Sequence, residues 1–448
     1  MSRYFSPKQI AKWALFALFL MPAAAFAQLL QGQIPNMRSY DKTGINVFEP
    51  RKDTSAVFNG PTLRIGAGFT QEFQNLKHQN TATKSNSAAL YGISPGFNTA
   101  MANLYTDFLL ADGIHLNVSI YLSTRHHNEA WVKGGFIQFD KLPFKGEFWD
   151  NLMKNVTIKI GHYEINYGDA HYRRTDGGHA LYNPFIENYI IDGYGTEIGG
   201  EVYYQCPKSG LFGMVGLTNG MMKGNVDSVV NTVANGNIKK NPAIYGKIGI
   251  DRQLSELVRV RLSGSYYHIN SSPTNDLYNG DRAGSNYFMV MEKPYVVPAS
   301  GTGAYSGDGF SGRLNPGMAY KVDAFMANGF AKVAGFEVFG TLEHSQGRSS
   351  AEKTNRQFTQ YAVDALYRFG KSENLFVGAR YNNVLAELKD IAGSVTIDRT
   401  AFAAGWFLTR NVLLKGEYVT QNYKNFPTTD YRNGGKFDGY VIAATIGF

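Results

Sequence analysis

Five side chains with charged or titratable heads stand in one eight-residue stretch: Asp169, His171, Arg173, Arg174 and Asp176. They belong to residues 166–195, NYGDAHYRRTDGGHALYNPFIENYIIDGYG, the densest polar cluster of the chain. The two guanidiniums offer forked donors to a carboxylate or phosphate, and the two carboxylates beside them set an opposing field. The chemistry this suits is electrostatic selection of ions, because a narrow low-dielectric passage amplifies each fixed charge. The same charges can equally pair with one another or with a surrounding wall and pin the stretch in place. The two uses are compatible.

Other groupings fail for definite reasons. Residues 307–312, GDGFSG, have the spacing G-x-G-x-x-G but lack the strand-turn-helix context that binds a dinucleotide. Residues 92–96, GISPG, match G-x-S-x-G, yet a nucleophile elbow needs a backbone N–H directly after the serine and Pro95 has none. His126-His127 and His162-x-Glu164 lack a third metal ligand at a recognisable spacing. The single Cys206 rules out a disulfide scaffold and reads as a small side chain in a strand. No Ser/His or Asp/His cluster can be placed at a rim, so the chain is expected to be no enzyme and to use no cofactor and no metal.

A charged stretch selects only if rigid elements hold it, and period-two alternation supplies them. Ile114, Leu116, Val118, Ile120 and Leu122 share one face, opposite His115, Asn117, Ser119, Tyr121, Ser123 and Arg125. The pattern recurs to the end, where Tyr440, Ile442, Ala444, Ile446 and the final Phe448 share one face. Counting such segments predicts sixteen strands, near 62–74, 101–110, 114–125, 131–140, 156–165, 196–206, 211–218, 243–251, 257–270, 319–327, 335–345, 357–369, 375–384, 395–408, 412–423 and 437–448. Short links such as 111–113, 207–210, 252–256, 370–374 and 409–411 fall on alternate connections, with long ones at 76–100, 166–195, 219–242 and 271–318 between them. That rhythm is the one of a transmembrane antiparallel β-barrel with short periplasmic turns and long outer loops. The link 141–155 breaks it and has room for a short helix.

The 448 residues hold 14% aromatic residues and 49 Gly, about 11% against a usual ~7%. Tyr and Phe recur at strand ends, as in Tyr266, Tyr361, Phe369 and Tyr418, where aromatic girdles meet membrane interfaces. Residues 1–27 read as a signal peptide, with Arg3, Lys8 and Lys12, an apolar run and Ala25-Phe26-Ala27 as the cleavage site. Without them 41 Lys and Arg face 36 acids, a net +5 spread along the chain, which argues against a nucleic-acid partner. Residues 28–61 are expected to lie in the periplasm or tucked into the lumen, and 62–448 to form the barrel.

The run Asn166-Tyr167-Gly168-Asp169, His171-Tyr172-Arg173-Arg174, Asp176-Gly177 and Asn183-Pro184-Phe185, followed by Thr196-Glu197-Ile198-Gly199-Gly200-Glu201, resembles the outer-membrane porins of Bacteroidota, distant relatives of the phosphate-selective porins O and P. The specific match covers about 40 residues. The resemblance implies a sixteen-stranded, usually trimeric barrel whose third loop folds into the lumen. Asp169, His171, Arg173, Arg174 and Asp176 would then form the pore constriction. Arg64, Arg125, Lys159, Glu197, Glu201, Arg259, Arg261 and Arg380 are expected to face the lumen. Because Glu72, Asp251, Asp364 and Glu417 stand among the basic positions, a weak anion preference is the most the pattern supports. The expected function is passive diffusion of small hydrophilic solutes or ions across the bacterial outer membrane, by a homotrimer embedded among lipids and lipopolysaccharide. The alternatives are an outer-membrane hydrolase of lipid or peptide and a surface adhesin.

Overall fold

The computed structural model describes residues 34–83, 89–98, 100–123, 130–221, 229–278, 286–293 and 312–448. The signal peptide and Arg125 lie outside them, as do His126 and His127. Sixteen strands form one antiparallel sheet: β1 (Thr62–Gln79), β2 (Met101–Ala111), β3 (Ile114–Ser123), β4 (Trp131–Phe139), β5 (Val156–Glu164), β6 (Thr196–Cys206), β7 (Leu211–Thr218) and β8 (Ala243–Gln253). They continue as β9 (Val258–Ile269), β10 (Lys321–Val333), β11 (Phe336–Arg348), β12 (Arg356–Phe369), β13 (Leu375–Glu387), β14 (Ser394–Thr409), β15 (Val412–Lys424) and β16 (Lys436–Gly447). Gly68 of β1 pairs with Asn103 on one side and with Gly447 of β16 on the other. The sheet therefore closes on itself, with every one of these strands paired on both sides.

The alternation read in the sequence is the inside-outside alternation of the wall. In β11, Glu337, Thr341, Glu343 and Ser345 are buried while Phe336 and Leu342 are exposed. On β16, Val441, Ala443 and Thr445 point in, and Tyr440, Ile442 and Ile446 point out. Polar residues inside and apolar residues outside reverse the usual globular arrangement and suit a wall facing lipid. No helix among the described residues is long and apolar enough to cross a membrane.

Strands β6 and β7 have the predicted bounds. The largest difference is β10, which runs to Val333 rather than stopping at 327: Gly329, inside the link expected between 327 and 335, pairs with both Leu262 and Gly340. The irregular link after β4 holds α1 (Glu147–Met153). Outside the barrel ladder, Val229–Thr232 and Gly236–Lys239 pair as a small hairpin, and Gly96–Phe97 adds a two-residue bridge to β1.

Two segments outside the strands meet the inward side chains. Residues 165–195 carry their own apolar groups, Ile165, Tyr167, Phe185, Ile186, Ile190 and Ile191, which bury against inward residues such as Tyr267, Met326 and Phe358. Residues 34–61 precede the wall yet touch it widely. Asp41 caps a short turn at Lys42–Gly44 and pairs with Arg410, Asn46 donates to Glu337 at 2.7 Å, and Glu49 reaches Arg261 at 2.7 Å.

Candidate functional site

The five residues singled out by sequence are brought into one region, but they do different things. Asp169 accepts from Arg261 through Nε and Nη2 at 2.7 and 2.8 Å and from the Ser263 hydroxyl at 2.7 Å, with Lys247 Nζ at 3.0 Å. Burial alone pushes its carboxyl up; Lys247 and Arg261 overcome this and hold it well below the usual carboxylate range. Its backbone N–H donates to Asn328 at 2.8 Å. Asp169 thus fastens the start of the 165–195 segment to β8, β9 and β10.

Arg173 is 3% exposed; its Nη1 is 2.7 Å from Glu337 and also donates to Asn46. Its guanidinium lies over Phe339, 4.9 Å from the ring centre, and its Nε and Nη2 have no hydrogen-bond partner among the described residues. Arg174 stacks on Tyr194 at 3.6 Å, with Nη2 2.7 Å from Asp192 and Nη1 3.4 Å from Asp176. Asp176 accepts from the Tyr121 hydroxyl at 2.6 Å and from Lys133. His171 pairs with Glu164 and contacts Asn166 at 2.9 Å; burial keeps its imidazole below the ordinary value.

The remainder of the segment is sutured to the far wall. Lys415 donates to the carbonyls of Ala180, Asn183 and Phe185 at 2.9, 2.8 and 2.7 Å. Arg380, itself bidentate on Asp364, donates to the carbonyl of Glu187 at 2.8 Å, and Arg399 to that of Asn188 at 2.6 Å. Gln360 both accepts from the N–H of Ile191 at 2.9 Å and donates to its carbonyl at 2.7 Å. On the near side Gly68 takes the close approach: a Cβ there would sit 2.9 Å from the backbone of His179.

Among the described residues, the wall positions named from sequence, all but Arg125, are each engaged. Arg64 reaches Asp107 at 2.6 Å, Arg259 reaches Asp251 at 2.7 Å, and Lys159 lies 3.6 Å from Glu201 and 4.4 Å from the Phe136 ring centre. Glu197 accepts from Tyr267 at 2.8 Å and Glu201 from Tyr245 at 2.7 Å. Lys133 fell within a correctly read strand and escaped notice; Arg38 and Glu49 lie in a stretch with no periodicity to flag them.

A cavity of about 290 Å³ remains between these segments and one side of the wall. Its wall residues come from β2 to β6 and include Tyr105, Lys133, Lys159 and His162, with Arg174 and Asp176 from the segment and Arg38 and Lys52 from the N-terminal stretch. Arg173 and Asp169 do not line it.

His179 donates from Nε2 to the carbonyl of Tyr40 at 2.8 Å if that nitrogen carries the proton, and burial pulls its imidazole down to about 4. The unfolded chain therefore binds a proton near pH 6.5 that the folded protein refuses until about pH 4. Stability is expected to be full above pH 6.5 and to fall by on the order of 3 kcal/mol as pH drops through that window. Urea titrations at pH 7.5 and 4.5 check this, and H179Q should flatten the difference.

No protein-family model matches the chain, and no curated protein does. Solved structures do match in fold. The anion-selective porin from Comamonas acidovorans is 9% identical over 87% of this chain and all of its own, with a TM-score of 0.50. The outer-membrane channel DcaP of Acinetobacter baumannii is 12% identical over 88% of this chain and 99% of its own, at 0.49. The trimer form of OmpT, an outer membrane protein of Vibrio cholerae, is 10% identical over 87% and 100%, also at 0.49. The chain has the closed sixteen-stranded architecture of the bacterial outer-membrane barrels, and its structural neighbours are porins and channels.

Proposed function

We propose that the chain is a porin of the bacterial outer membrane, a water-filled passage for passive diffusion of small hydrophilic solutes or ions. The observation that carries this is the cavity, lined by charged side chains, between the 165–195 segment and the inner faces of β2 to β6. The passage runs through it, so the segment acts as the constriction and its free side as the selective surface. Five Lys and Arg (Arg38, Lys52, Lys133, Lys159, Arg174) line it against four acids (Glu49, Asp140, Glu164, Asp176), which supports a weak anion preference and no more. The run of residues 166–201 supports a kinship with the Bacteroidota porins related to the phosphate-selective porins O and P, and trimeric assembly goes with that reading.

Planar bilayers containing purified, folded protein are expected to show conductance with no energy source; a silent bilayer contradicts the proposal. Within the constriction the two arginines divide. R174A is expected to shift the reversal potential in a salt gradient toward cations, because Arg174 lines the cavity. R173A is expected to leave it unchanged and to lower stability, because Arg173 is spent on Glu337. Hydrolysis of lipid or peptide by the same preparation would favour a barrel enzyme instead.

A further inference from the structure

Arg38 lies 24 residues before the first strand, yet its side chain lines the cavity. Its Nε donates to the carbonyl of Gly44 at 2.9 Å and its Nη2 to that of Tyr172 at 2.8 Å. The guanidinium lies 3.6 Å from the centre of the Tyr182 ring. These contacts fix the group without neutralising it. The other cations of the lining have carboxylates at hand: Lys52 is 3.9 Å from Asp140, Lys159 3.6 Å from Glu201 and Arg174 2.7 Å from Asp192, and Lys133 pairs with Asp176. Among the described residues no carboxylate lies within ion-pair distance of Arg38.

The stretch that carries it is held on both sides. Tyr40 stacks on Tyr105 with ring centres 4.2 Å apart, the Tyr182 hydroxyl donates to the carbonyl of Ser39, and Asp41 pairs with Arg410. A stacked guanidinium keeps its charge, and the donors not spent on Gly44 and Tyr172 remain for an anion passing its open edge.

We infer that Arg38 is a selectivity-determining residue of the passage, supplied by the segment that precedes the barrel rather than by its wall or its long loop. The inference rests on the channel reading and adds to it the source of the least compensated positive charge. A charge at a constriction acts on every ion that passes, whereas one outside it is screened within about 8 Å at physiological salt.

The test is single-channel recording in a potassium chloride gradient with the full-length protein and its R38Q, R38K and R38E variants. As a control, K371Q removes one charge from an exposed turn outside the cavity. R38Q is expected to lower the chloride-to-potassium permeability ratio about twofold or more, R38E further, and R38K to stay close to the parent; K371Q should not move it. Equal reversal potentials for the parent and R38Q, with conductance intact, overturn the assignment. An equal shift in R38Q and R38K overturns it as well, because charge would not be the cause. A parent that conducts nothing overturns the channel reading and this inference with it.

Discussion

D169A is expected to destabilise the folded barrel by about 3–5 kcal/mol, the cost of breaking a buried ion pair from one side, and to raise its conductance. Asp169 is where the charges of two strands, β8 and β9, and of two internal segments meet. With it, Arg261 and Lys247 share two carboxylates, Asp169 and Glu49. Without it, two cations that are almost wholly buried face Glu49, with Asp251 at 3.3 Å from Arg261 as the remaining support. The uncompensated charge sits in a medium where Coulomb energies are several-fold larger than in water. Relief comes from moving the 165–195 segment so that water can enter, and that movement widens the passage. D169N keeps the shape and one of the two acceptor oxygens, so it should fall between D169A and the parent. Urea unfolding followed by the shift in gel mobility measures the first effect and bilayer conductance the second. A D169A barrel as stable as the parent would mean that the cluster contributes nothing net.

K415M is expected to cost about 3 kcal/mol, and its effect to fall on residues 180–186. An ammonium has three donors, and in Lys415 each meets a different carbonyl of that stretch. Methionine fills similar space but leaves three buried carbonyls without this donor, each worth about 1–3 kcal/mol before water or rearrangement compensates. Hydrogen exchange of the amides in 180–186 should quicken in K415M while the strands keep their protection. K415R should recover little, because a planar fork cannot reproduce three divergent bonds. Unchanged exchange in K415M would show that the stretch is held by its apolar packing alone.

The fold was readable because a wall with lipid on one side and polar groups on the other obliges each strand to alternate. β6 and β7 show this with predicted and observed bounds that coincide. β10 runs six residues past the expected end at 327, because Gly329 pairs with Leu262 and Gly340 and the ladder continues to Val333. The prominent stretch was readable too, since Asp169, His171, Arg173, Arg174 and Asp176 crowd into eight residues of a long link. What its charges touch was not. Arg173 finds Glu337 across 164 residues of chain, and Lys415 finds carbonyls rather than a carboxylate, so neither spacing nor sign could forecast the partner. Arg38 lay further from view, in a stretch whose conformation is set entirely by the barrel around it.

The 165–195 segment is fastened to β8–β15 by Lys247, Arg261, Asn328, Gln360, Arg399 and Lys415, whereas the cavity is lined by β2–β6. The far arc thus serves anchorage alone, while the near arc both lines the opening and holds residues 166–178 through Asn103, Tyr121, Lys133 and Glu201. Substitutions on the five strands beside the opening that spare Asn103, Tyr121, Lys133 and Glu201, which hold the segment from that side, can retune which solutes pass, whereas those on the opposite arc act on rigidity first. A designer wishing to change what passes has about a third of the wall to work with, and the rest serves as the chassis.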